Sequence, residues 1–176
     1  MTSKPPGSGP SNHLLRVEPP GSGSERDLLA AWLDFHRETV LIKVAGLSAE
    51  AASQHLVPSP LTTCAGLLRH LRYVERWWFQ EILEGTEFPP PEPAGTVDAE
   101  FTLPECVDLH RLGAEYRLEC AASREVFARW DLDEMSRSPR RHVSCRWVML
   151  HMIEETARHN GHLDILRELT DGVTGE

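Results

Sequence analysis

The stretch that most constrains this chain runs from Ser144 to Arg167, SCRWVMLHMIEETARHNGHLDILR. Read as a helix, Val148, Met152, Glu155, His159, Leu163 and Leu166 recur in steps of three and four, the spacing of a core-facing surface. An acid and a histidine therefore stand where a helical core expects leucine. A lone carboxylate in an apolar interior costs several kcal/mol, so Glu155 must be paired, protonated or bound to a cation. The i, i+4 spacing puts Glu155 and His159 on one face, able to share a metal.

Three further stretches carry the same helical period. Between Ser24, an N-cap with Asp27 in an acidic first turn, and Gly46, a C-terminal stop, Leu28, Trp32, Phe35, Thr39 and Ile42 form one apolar stripe beside Leu29, Leu33, His36 and Val40. A second helix from Thr62 or Thr63 to before Gly85 carries Leu67, Leu71, Val74, Trp78 and Ile82. A third, beginning about Pro104, carries Leu109, Leu112, Tyr116, Cys120, Ser123, Phe127 and Trp130. Ser144 caps the fourth and Gly172 lies just past its end. Residues 47–53 read as one short helical turn, and Pro58 and Pro60 force an extended approach. With no strand alternation and no repeat, the chain reads as all-α: a four-helix bundle with a long, proline-rich crossover, Phe88 to about Thr102, between helices two and three.

The 176 residues suit one domain, 24–176, preceded by a Gly-Ser-Pro-rich flexible extension over 1–23 in which His13, Leu14, Leu15 and Val17 could dock locally. A net charge of -9 argues against nucleic acid as a partner. No apolar run reaches the roughly 20 residues of a membrane span, and the N-terminus lacks the apolar core of a signal peptide, so the expected compartment is the cytoplasm and no membrane partner is expected. Cys64, Cys106, Cys120 and Cys145 are far apart, form no CxxC pair and offer no convincing nucleophile.

A third ligand for Glu155 and His159 must come from another helix, and His70, beside Leu67, Val74 and Trp77, is the natural one. Two histidines and a carboxylate leave coordination positions open, a catalytic rather than structural arrangement; zinc fits, as do nickel, iron and manganese. His151 and His162, four residues before Glu155 and three after His159, are rival ligands. Glu154 is rotated about a hundred degrees off the stripe and suits pairing with Arg158. The alternative to a metal is a buried ion pair of Glu155 with a histidine or an arginine. The basic run 137–142 reads as a solvated loop or as an anion-attracting rim.

The segments Leu68–Phe79 and His151–Arg167 resemble the DinB-like superfamily, in particular its actinobacterial branch related to mycothiol-dependent enzymes, over about Glu25 to Gly172. The resemblance implies an up-up-down-down bundle holding one divalent metal through three side chains. His70 matches the histidine of the second helix, and His159, two residues before Gly161, matches the later member of the i, i+4 pair. Glu155 takes the earlier position, where many members have histidine but the mycothiol-dependent maleylpyruvate isomerase has an acid. His162 replaces a glutamine common in relatives, which leaves it an outer or substrate-facing role.

By the same resemblance the metal binds the sulfur of a low-molecular-weight thiol and favours its thiolate, for S-transfer or isomerisation. The partners are then a small thiol of the mycothiol type and an electrophile near Trp77, Trp78 and Arg140 or Arg141, with a homodimer as a family habit. No general base stands out; His162 and His36 are the catalytic candidates. Two other classes remain: a non-catalytic metal-binding protein of stress or interaction type, and a metal-dependent hydrolase.

Overall fold

The computed structural model describes residues 16–96 and 98–174. The expectation of a flexible extension therefore falls, for residues 1–15, outside the described residues, as do His13, Leu14 and Leu15. The described chain is helical. In order it forms α1 Glu25–Val44, the short α2 Ala49–Ala52, α3 Cys64–Arg76 continuing as a π-helical segment Trp77–Leu83, a 3-10 turn Ala99–Phe101, α4 Leu109–Arg129 and α5 Cys145–Asp171. α1 packs against α5 and α3 against α4, while α3 meets both α5 and the 3-10 turn.

The helix starts follow local chemistry. Ser24, Thr63, Asp108 and Ser144 each accept, through a side-chain oxygen, the backbone N–H three residues on. Asp108 explains why α4 begins five residues beyond the expected Pro104: the acid is the better cap, and residues 102–107 stay irregular while Leu103 and Val107 pack on the core. Two arginines support helix ends by donating to carbonyls of the last turn and the cap. Arg167 of α5 donates to Lys43 and Ala45 at 2.9 and 2.8 Å, and Arg26 of α1 donates to Trp130 at 2.8 Å and to Phe127.

In α1 the line facing the core is Leu29, Leu33 and Val40, not its neighbour; Trp32 of the neighbouring line is 45% exposed. The second helix also departs from a plain α-helix. Glu84 N–H bonds Phe79 C=O, five residues back, and the widened turns bury Trp78, Phe79, Glu81, Ile82 and Leu83 together.

The core has two apolar halves. One gathers Leu33, Val74, Trp78, Phe79, Ile82, Val126, Val148 and Met152; the other gathers Val40, Leu67, Leu71, Tyr116, Cys120, Leu163 and Leu166. Buried polar side chains lie between them in sequence on three of the long helices, Arg37 and Thr39 on α1, Ser123 on α4, and Thr156, His159 and Asn160 on α5, while on α3 the buried Glu75 directly follows Val74 of the first half. The centrepiece is a two-armed ion pair, Arg37 to Glu75 at 2.8 and 2.6 Å, with the Arg37 guanidinium over the Phe79 ring.

Candidate metal centre

His70 of α3 and Glu155 and His159 of α5 converge across the α3–α5 seam. One carboxylate oxygen, Glu155 Oε1, lies 3.0 Å from His70 Nε2 and 3.2 Å from His159 Nε2. The two rings meet edge to face with centroids 4.9 Å apart. One ligand-capable atom from each residue lies within 4.8 Å of the others. The cluster is shielded but not sealed: the side chains are 11%, 17% and 11% exposed, respectively.

The donor set suits a cation. Tetrahedral zinc with bonds near 2 Å needs its ligand atoms about 3.3 Å apart, and the two separations to Glu155 need only small adjustment to reach that. The carboxyl of Glu155 is held well below the usual carboxylate range by the hydrogen bonds from His159 and then His70. A carboxylate that stays ionised while receiving two imidazole nitrogens is a ready ligand. Its hydrogen-bond partners are the histidines rather than an arginine, which disposes of the Glu155–Arg alternative.

The other sequence candidates separate cleanly. His151 turns away from the cluster and stacks on Trp147, centroids 5.1 Å apart, with its edge on Trp78 at 4.6 Å. His162 sits behind His159, their Nδ1 atoms 3.2 Å apart; burial, then the nearby His159, lowers its pKa. Glu154 accepts from Arg158 Nε at 2.8 Å on the outer face. His36 lies half-buried among Trp32 and Phe35, its backbone carbonyl accepting from Asn160 at 3.0 Å.

Trp78 is buried against Trp147 and His151, with Arg141 5.8 Å above its ring. Trp77 faces Tyr73 instead, with Arg140 5.3 Å over it and donating to the buried Glu81 at 3.2 Å. The three buried thiols are poor nucleophiles: burial pushes Cys64 and Cys145 up to about 11 and Cys120 further still.

Sequence reading missed Glu75 and Arg37. Each stood on a core stripe, Leu68, Leu71, Glu75, Phe79 and Leu33, Arg37, Val40, Val44, by the same rule that exposed Glu155. It also missed the 3-10 turn. Phe101 stacks on His70, centroids 4.1 Å apart and planes 10° off parallel, and Glu100 Oε1 lies 3.9 Å from His70 Nδ1. Gly66 lets this segment approach, since a Cβ there would sit 3.3 Å from Phe101 O and 2.9 Å from Thr63 Oγ1.

An all-helical chain with an inward-facing two-histidine, one-carboxylate cluster defines a class of helical proteins with a candidate metal centre. Residues 28–172 match the sequence model of the family described as mycothiol-S-transferase, and this chain belongs to that DinB-like family. A search among curated proteins finds no match.

Proposed function

We propose that this protein is a divalent-metal-dependent mycothiol S-transferase, built as an up-up-down-down four-helix bundle, with His70, Glu155 and His159 as metal ligands and zinc as the first-choice ion. The observation that carries this reading is the convergence of those three side chains on one carboxylate oxygen in a member of this family. A divalent cation there supplies Lewis acidity that lowers the pKa of a thiol at its open position.

The chain's own residues do the rest. Glu155 would offset cation charge, and His70 and His159 would be the neutral ligands beside it. The seam beyond His151 offers Trp78 and Trp147 as an aromatic wall and Arg141 as a cation for an anionic electrophile. Arg140 is less free, being held by Glu81. In the transfer the thiolate sulfur forms a bond to the electrophilic carbon as the leaving group departs with its electron pair, and the thiol proton goes to solvent. An isomerisation would instead add the thiol and expel it, returning no adduct.

Purified protein should carry about one divalent metal per chain by elemental analysis and should convert mycothiol and an alkylating bimane to the thioether, followed by product mass. Glu155→Gln and His159→Ala should lose both metal and turnover. Wild-type protein with no metal affinity overturns the reading. Metal without any response to thiol moves the assignment to a non-catalytic metal protein, and thiol-independent water addition moves it to a hydrolase.

A further inference from the structure

A histidine that ligates through Nε2 carries its proton on Nδ1, and that N–H needs an acceptor to fix the ring's tautomer and direction. Both ring Nε2 atoms here point at Glu155, so both Nδ1 atoms point outward. That of His159 has His162 at 3.2 Å. That of His70 is buried and has no hydrogen-bond partner, and the carboxylate facing it is Glu100, 3.9 Å away.

Glu100 has no stronger claim on it. Two of the arginines around it are engaged elsewhere, Arg69 donating to Glu92 O at 2.5 Å and Arg72 to Glu115 at 2.6 Å, and the nearest carboxylate to Arg76 is that of Glu81 at 3.8 Å rather than Glu100. Among the described residues, His70 is the one basic group within 4.0 Å of the Glu100 carboxylate. The segment bearing it is firmly seated, with Ala99 only 3% exposed and Phe101 flat against the His70 ring.

With a cation on Nε2 the ring would carry its proton on Nδ1, and the contact with Glu100 would be attractive. Closing to hydrogen-bond distance needs about 1 Å of movement in a side chain that is 23% exposed.

We propose that Glu100, from the crossover, is the positioning carboxylate of His70: it accepts the Nδ1 proton and orients the ring towards the metal. This rests on the metal reading of the cluster. It makes the 3-10 turn a working part of the centre rather than a covering loop.

The test measures zinc affinity of the full chain by chelator competition and records the cobalt(II) absorption spectrum for wild type, Glu100→Ala, Glu100→Gln and, as a control from the same crossover, Glu105→Ala. Glu100→Ala should weaken zinc binding by about 10–100-fold and shift the cobalt bands. Glu100→Gln, which keeps an acceptor oxygen without the charge, should lose less, and Glu105→Ala nothing. Melting in the presence of a chelator should not change for any of them. Wild-type affinity and an unchanged cobalt spectrum in Glu100→Ala overturn the inference, as does a loss of chelated-state stability that accounts for the loss of affinity. A wild-type chain that binds no zinc overturns the metal reading itself, and with it this one.

Discussion

Glu75 and Glu155 both stand on core-facing stripes, yet they answer to different partners. Glu75 holds a guanidinium in two bonds, while Glu155 holds two imidazoles that can give way to a cation. Removing one partner of a buried ion pair costs about 3–5 kcal/mol. For Glu75→Ala the lower end is expected, because Arg37 keeps Asp34 at 2.9 Å; a urea titration against wild type measures it. Replacing both partners, Arg37→Met with Glu75→Leu, should recover most of the loss. The thiols give a pH prediction. Cys64 and Cys145 rise from 9.0 to about 11 on folding, so their stabilising share is complete below pH 9 and is lost as pH climbs towards 11. At pH 10 each costs about 1.4 kcal/mol. The urea midpoint should fall between pH 8 and 10, and less steeply in Cys64→Ala. An unchanged slope would remove Cys64 as a cause.

At the scale of elements, what could be read in advance was what depends on near neighbours. Ser24, Thr63 and Ser144 cap helices within three residues of themselves. Period alone marked Glu155 and His159 as polar residues on a core stripe, with His151 and His162 as rivals; the family resemblance narrowed the candidate set to His70, Glu155 and His159. The π-helical turn at Trp77–Leu83 and the seating of Ala99–Phe101 on α3 depend on contacts distant in sequence, which no local period records. Two glycines separate these cases experimentally. Gly172 ends α5 at φ 76° in open space, so Gly172→Ala should cost about 1 kcal/mol of backbone strain in a urea titration and leave the His70, Glu155 and His159 cluster alone. Gly66→Ala brings a methyl to 3.0 Å from Leu61 O and 3.3 Å from Phe101 O. It should push the 3-10 turn off His70 and lower zinc affinity as well as stability, read by the same chelator competition.

Across the whole molecule, two apolar halves meet at polar side chains, and α5 spans both, from Met152 in one to Leu163 in the other. A metal held by α3 and α5 would therefore fasten both halves. Zinc at a hundred times its dissociation constant should add about 2.7 kcal/mol of stability, read as a higher melting temperature that a chelator reverses. Glu155→Gln should show no such response.

The seating of the crossover separates chain length from chain position. Residues 86–96 are mostly exposed, and lengthening a flexible loop is cheap, about 0.6 kcal/mol for each doubling. Ala99, Glu100 and Phe101 have no such latitude, because they meet a histidine ring face to face. Homologous chains can thus gain or shed residues before Ala99 freely, while a single insertion within Ala99–Phe101 would change the register of Glu100 and Phe101 against the His70 ring.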